Sequence, residues 1–372
     1  MYKRNAVLLA DELSHDIPVL LLQGPRSVGK STILNEIAQA YQTEVIDFDN
    51  RDVRTAFNDA GTHFLPKTQP VLIDEYQKAP LILDDIKVRL NKSSTPGQFI
   101  ITGSTSFDAL PGGTQKLTGR IHRLDIWPLT QSEILGSTPN IINNLIQNPG
   151  ITINQLREYR STTTRSDYLR SISIGGFPLS VSETNPKKRK RWYTDYLDYS
   201  INHDIPDILK IRQATDMDKL IPRLSKNTAG VLNVSRICED IGIKPNTADE
   251  YISLLEKIFL IQKLEASTLV DTPRLAKRPK LHFVDSGLAT NLLGFDSDTI
   301  SKINPQTAQR VGQLVETFTI NEIIRLAQLN DDFKAAKFWR TRTGEEIDLI
   351  LEIWGEKTIA IEIKASSTPK ST

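Results

Sequence analysis

Apolar positions along the first third of the chain fall into short unbroken runs separated by stretches of helical period. Residues 19–22 form the first run, and after a short loop Ile33, Leu34 and Ile37 recur at helical spacing. Further strand candidates are 44–48, 70–75 and 97–103, with a helix at 81–90 between the last two. Strands alternating with helices imply a parallel sheet covered on both faces, whose ligand lies at the strands' carboxyl ends. Further on, 141–154 is Asn-rich and reads as an inserted or linking segment. From Asp167 the pattern turns helical, broken at Gly175-Gly176-Phe177-Pro178. Residues 234–243 read as a short helix closed by Gly242. Asn246 or Thr247 then caps a second helix carrying Tyr251, Leu254, Leu255 and Ile258 on one face. In the last third 280–285 is a strand, 296–305 a linker and 312–329 a helix. Residues 346–353 and 358–364 are two strands joined by the turn Trp354-Gly355-Glu356.

The loop after the first run is Gly24-Pro25-Arg26-Ser27-Val28-Gly29-Lys30-Ser31, with Thr32 next in the helix. A Gly-x-x-x-x-Gly-Lys-Ser/Thr run between strand and helix can cradle phosphate. Its glycines permit conformations that a side chain blocks, and its N–H groups turn inward at a helix N-terminus that favours anions. Lys30 would reach the β- and γ-phosphates, and the Ser31 hydroxyl would hold Mg²⁺. Asp74 and Glu75 end a later run, where Asp74 can join the Mg²⁺ shell and Glu75 can polarise the attacking water. Thr102, in Thr102-Gly103-Ser104, either senses the γ-phosphate or belongs to an ordinary turn. Arg120 follows the flexible stretch 110–114 and could reach a neighbour's nucleotide as an arginine finger, a role for which Arg123 competes.

Composition narrows the class. A chain of 372 residues is too long for one ordinary core. Its 46 basic and 45 acidic residues nearly cancel, so any nucleic-acid surface must be local. One cysteine excludes an internal disulfide framework and suits a reducing compartment, with the cytoplasm as the expected home. The opening residues are too few and too charged for a secretory signal, and nothing downstream approaches a membrane span. Five scattered histidines lack zinc-ligand spacing.

Two local features bear on nucleic acid. The run 187–191, Lys-Lys-Arg-Lys-Arg, precedes Trp192 and Tyr193; it either tracks phosphates beside stacking aromatics or is a solvated helix face. The two helices around Gly242 have a helix-turn-helix outline. The second, however, carries Asp249, Glu250 and Glu256 against Lys257, so a protein-packing winged helix competes. On the final strands, Glu362 and Lys364 lie two apart and share a face, which Asp348 on the adjacent strand can meet. Two carboxylates and a lysine so placed can hold Mg²⁺ and position a water. A charged strand edge guarding against pairing uses the same residue types.

Four motifs together resemble an AAA-type P-loop ATPase family whose C-terminal region is of unknown function. They are the loop from Gly24 to Ser31, Leu72-Ile73-Asp74-Glu75-Tyr76-Gln77-Lys78, Thr102-Gly103-Ser104, and Leu117-Thr118-Gly119-Arg120 followed by Trp127-Pro128-Leu129 and Glu133. The resemblance covers nearly the whole chain, with Gly175-Gly176-Phe177-Pro178 similar to the family's entry into its C-terminal region. It implies ATP and Mg²⁺ as cofactors and ATP hydrolysis, and leaves open what the ATP is for. Roughly the last sixty residues, the scale of a small domain, resemble the PD-(D/E)xK restriction-endonuclease-like superfamily. That resemblance implies Glu316 as the helix carboxylate, Asp348 as the strand Asp and Glu362 with Lys364 as the Glu-x-Lys pair, the three carboxylates holding metal. It also implies further helix and strand after Thr372, so either the chain is truncated or its sheet is finished otherwise.

The expectation is therefore an α/β chain with three parts. Residues 1–165 form an AAA-like parallel-sheet domain, 166–280 a helical, winged-helix-like region, and 281–372 a nuclease-like domain. Two functions compete. One is a Mg²⁺-dependent ATPase that acts with nucleic acid such as DNA and could cut it through Asp348, Glu362 and Lys364, as a homo-oligomer with Arg120 working in trans. The other is a nucleotide-switched module whose nuclease-like domain is inactive and engages a protein partner.

Overall fold

The computed structural model describes residues 2–60, 64–109, 117–205, 216–267, 278–301, 305–341 and 343–365. The glycine-rich stretch 110–114 lies outside them. The chain packs as two units, 1–127 with 202–211 and 257–259, and the remainder. Among the described residues no helix is long and apolar enough to cross a membrane.

The first unit is built on five strands: β1 (Val19–Gln23), β2 (Val45–Asp47), β3 (Val71–Asp74), β4 (Phe99–Gly103) and β5 (Ile121–Asp125). Their order is β2-β3-β4-β1-β5, and every pairing is parallel. Every residue of β1, β3 and β4 is buried. This is why those three strands read as unbroken apolar runs. Val19, Leu21, Ile73, Phe99 and Ile101 meet Ile82 and Ile86 of the helix Ile82–Lys92 in one core. β5 escapes the sequence pattern because it is an edge strand, Ile-His-Arg-Leu-Asp, with two apolar residues in five. Parallel pairing puts the ends of β1, β3 and β4 along one edge of the sheet, which is where the loop chemistry sits.

The second unit holds a mixed six-stranded sheet in the order β11-β10-β9-β7-β8-β6. Its strands are β6 (Gly230–Val231), β7 (Ile261–Ala266), β8 (Lys280–Phe283), β9 (Phe333–Arg340), β10 (Glu346–Ile353) and β11 (Lys357–Ile361). β7 runs parallel to β9; the other pairs are antiparallel. The regions expected as separate middle and C-terminal parts thus share this sheet. The helix Pro305–Ala327 lays Ile320, Ile324 and Ala327 on a core with Phe338, Leu349, Leu351 and Ile353.

Several expectations are corrected here. Residues 141–154 are no linker: the helices Ile141–Gln147 and Pro149–Glu158 occupy them, and Ile142 and Ile146 enter the same core. Asparagine-rich composition concealed two buried positions at helical spacing, and Pro149 opens the second helix, where its missing N–H costs nothing. The 296–305 linker is likewise in part the helix Ser297–Ser301. Asp296 accepts from the Thr299 N–H at 2.7 Å, and Ile300 is fully buried. β9 went unread because Lys334, Ala335, Ala336 and Lys337 dilute its apolar signal. β11 ends at Ile361, three residues short of the expected strand. Gly242 does close the helix Val234–Ile241 in a left-handed cap, and the next helix, Pro245–Lys257, starts at its proline, slightly before the expected caps.

The Gly-Gly-Phe-Pro break marks a buried polar node. Asp285 caps the helix Ser286–Leu292, accepting from the Leu288 N–H at 2.8 Å, the Gly176 N–H at 2.7 Å and the Tyr193 hydroxyl at 2.8 Å. Burial raises the Asp285 pKa and pushes that of Tyr193 well up. Gly175, at φ +73°, has no room for a Cβ, which would collide with the Asp285 carboxylate and the Tyr193 hydroxyl.

Candidate functional site

The phosphate loop leaves β1 at Gln23 and enters the helix Lys30–Tyr41. A Cβ on Gly24 would collide with the Ile126 carbonyl, so the loop can pass the end of β5 only as glycine. Ser27 (φ 63°) and Gly29 (φ 95°) take left-handed conformations that curl the loop over the helix start. The first-turn N–H groups, those of Ser31 and Thr32 among them, lack intrahelical acceptors by geometry. Val28 is buried, and Arg4 pins the loop by donating to the Val28 carbonyl and, at 2.7 Å, to that of Trp127.

Lys30 is buried and donates to the carbonyls of Gly24 at 2.9 Å and Pro25 at 2.8 Å. Burial lowers its pKa to about 8, against the opposing pull of Glu75 and Asp74. Those carboxylates end β3, two strands from β1 on the same edge. The Thr102 hydroxyl, from the end of β4, donates to Asp74 Oδ1, which also accepts the Glu75 N–H at 3.1 Å. Thr102 is fully buried on Asp74, so it orients that carboxylate. Glu75 holds a left-handed backbone (φ 52°), a conformation of non-glycine residues that concentrates at functional sites. Its Oε2 accepts from Gln77 Nε2 and, at 3.1 Å, from the Ser104 hydroxyl. Ser31 and Asp74 offer hard oxygen donors of the kind Mg²⁺ takes, and they would hold it beside a nucleotide's phosphates. When bound, the ion would neutralise phosphate charge.

Arg26 is closed on Asp204, and sequence reasoning did not connect the two. Arg120 precedes β5, where its carbonyl accepts the Val19 N–H at 3.2 Å and its side chain donates to Asn91 at 2.7 Å. That is the amino end of β1, five residues or about 15 Å from the phosphate loop, so within one chain Arg120 is remote from the loop. Arg123 pairs with Asp108 at 2.7 Å.

In the second unit, Glu316, Glu346 and Asp348 bring carboxylate oxygens within 4.8 Å of one another. A bulge aims Asp348: residues 348 and 349 stand opposite Phe338 alone. The Lys280 ammonium lies among these groups, 2.6 Å from Glu316 and 3.2 Å from Asp348, and paired with Glu346. Its side chain is 2% exposed. Burial opposes its charge, yet Glu316 and Glu346 leave its pKa raised; burial raises Glu316 to about 7. Glu362 is not in this group. It is exposed and paired with Lys364, while Asp348 Oδ2 accepts the Ile363 N–H at 2.9 Å. Of the expected set, Glu316 and Asp348 therefore converge and Glu362 does not, and the Lys280 ammonium bridges the two and Glu346. Glu346 and Lys280 were missed, Lys280 because it comes from β8, far from the motif in sequence.

Comparisons with known proteins match three segments of the chain. A family described as an AAA domain matches residues 16–135, and two families described as domains of unknown function, DUF8612 and DUF4143, match 165–299 and 311–372. Relatives include the uncharacterized proteins Rv2008c of Mycobacterium tuberculosis and Mb2031c of Mycobacterium bovis. Each is 23% identical over 367 residues, covering 99% of this chain and 75% of the relative. Among solved structures, the Walker-type ATPase PABY2304 of Pyrococcus abyssi aligns at 14% identity and TM-score 0.45, covering 78% of this chain and 96% of that one. The RuvB Holliday junction branch migration motor of Thermotoga maritima aligns at 17% identity and TM-score 0.32, covering 70% and 90%. The segment 16–135, which carries the loop and the parallel sheet, is thus similar to the AAA domain family.

Proposed function

We propose that the chain is a Mg²⁺-dependent ATPase. One observation carries the reading: the Lys30 ammonium, Asp74 and Glu75 gather at one edge of the parallel sheet, each held by protein hydrogen bonds. Lys30 and the loop amides bind the phosphates. Ser31 and Asp74 hold the ion, Thr102 orients Asp74, and Glu75 takes the proton of the attacking water. Arg120 acts in trans in a homo-oligomer, which suits its distance from its own loop. ATP turnover by the full chain, with and without DNA, tests the reading; absence of turnover that Lys30→Ala abolishes would end it.

For the second unit we favour a nuclease-like fold that binds instead of cutting, with nucleotide state switching its engagement of a partner. The observation behind this choice is Lys280, which meets the charge of Glu316, Glu346 and Asp348 from within the protein. The helix pair 234–257 with β6, β7 and β8 has the element order of a winged helix. Its second helix exposes Asp249 and Glu250, which favours a protein partner over a phosphate backbone. DNA binding would fall to the exposed residues Lys187, Lys188, Lys190 and Arg191. Incubating the full chain with DNA and Mn²⁺ tests this choice, and cleavage lost in Asp348→Ala would reverse it.

A further inference from the structure

The guanidinium of Arg26, the third residue of the phosphate loop, is closed on a carboxylate 178 residues away. Nη2 donates to Asp204 Oδ1 at 2.8 Å and Nε to Oδ2 at 3.3 Å. Asp204 ends a π-helical turn, Ser200–Asp204, and belongs to the first unit. Its side chain is 8% exposed. Both members of the pair act on Lys30, Arg26 lowering and Asp204 raising its pKa. The pair therefore sits within electrostatic reach of the ammonium meant for the β- and γ-phosphates.

A guanidinium grips carboxylate and phosphate with the same planar fork, and it cannot give that fork to both. Lys30, too, is turned onto the loop's own carbonyls. Both cations of the cradle are thus satisfied by protein oxygens. A nearly buried carboxylate beside an incoming phosphate also repels it until it withdraws. We propose that Asp204 is an internal stand-in for phosphate. It holds Arg26 in the nucleotide-free site and yields it when a nucleoside triphosphate presents its γ-phosphate, so the 200–204 turn registers whether the third phosphate is bound. This rests on the reading of the loop as an ATP site.

The test is to titrate the full-length chain with ATP and with ADP by calorimetry, for wild type, Asp204→Asn, Asp204→Ser, Arg26→Ala and Lys30→Ala. Removing the competing carboxylate tightens ATP by about tenfold, the size of one charge-assisted hydrogen bond, and moves ADP by about twofold or less. ADP affinity near wild type also certifies that the variant loop is folded, and two replacements at Asp204 guard against one failing to fold. In Arg26→Ala the effect of Asp204→Asn disappears. Weaker ATP binding in both Asp204 variants, or equal changes for ATP and ADP, would overturn the stand-in while Lys30→Ala still shows a working nucleotide site. Wild-type protein that binds no ATP, or a Lys30→Ala protein that binds it normally, would overturn the ATP reading and the stand-in with it.

Discussion

The Ser104 hydroxyl donates to Glu75 Oε2 at 3.1 Å, so the end of β4 fixes the carboxylate that ends β3. Gln77 holds the same oxygen and donates to Ser104 at 2.9 Å, closing a small ring. A base held this way is oriented before the water arrives, and loosening it lowers turnover without touching the phosphate loop. Ser104→Ala should therefore reduce kcat by about tenfold, well short of the loss on removing the base, with KM for ATP nearly unchanged. Steady-state kinetics separates the two; a rise in KM at constant kcat would place Ser104 in binding.

The pH dependence of nucleotide binding follows from Lys30. Burial lowers its pKa to about 8. A bound triphosphate favours the ammonium and raises that value again. Binding near pH 8 therefore takes up a proton, and affinity falls as pH rises through 8. Calorimetry in buffers of different ionisation enthalpy reads the uptake directly. Affinity that is flat between pH 7 and 9 would mean that Lys30 stays fully charged throughout.

Much of this site was legible in the sequence because its spacing is chemical. Gly24, Gly29, Lys30 and Ser31 are neighbours in the chain, and Asp74-Glu75 ends a run too apolar to be anything but a buried strand. The supports were not legible. Arg4, Gln77 and Ser104 are ordinary polar residues whose roles exist only once strands are adjacent, and Asp204 reaches Arg26 across 178 positions. In the second unit the hairpin was partly read, but β9 and the Asp348 bulge depend on pairing, which no local pattern encodes. That is why Glu362 was assigned to a cluster that in fact takes Glu346 and a lysine from β8.

Lys280 gives that cluster its own test. Removing a buried cation from among partly buried carboxylates leaves their charge unopposed and destabilises the fold. Lys280→Met should lower Tm, and added Mn²⁺ should restore part of the loss by filling the vacated centre. Wild-type Tm should not respond to Mn²⁺ in an Asp348-dependent way. A wild-type response abolished by Asp348→Ala would show that the ion and the lysine coexist.

The basic run opens the helix Pro186–Tyr199, where Lys187, Lys188, Lys190 and Arg191 are exposed and Arg189 instead donates to the Ser180 carbonyl at 3.0 Å. If the chain binds DNA through this face, neutralising the four exposed residues should lower the salt slope of affinity by about one for each DNA phosphate left without its cation. An unchanged slope would make the run a solvated helix face.

The central claim, that Glu75 activates water for ATP hydrolysis at the loop built by Lys30, is tested most directly by Glu75→Gln. The exchange keeps the side chain's size and its reach to Ser104 but removes the base. ATP binding and hydrolysis should be measured on the same preparation, binding by titration and hydrolysis by phosphate release in a single turnover. Binding should stay within about threefold of wild type while hydrolysis slows by about 10² or more, the range that general-base removal gives. Wild-type-like phosphate release from Glu75→Gln would contradict the assignment.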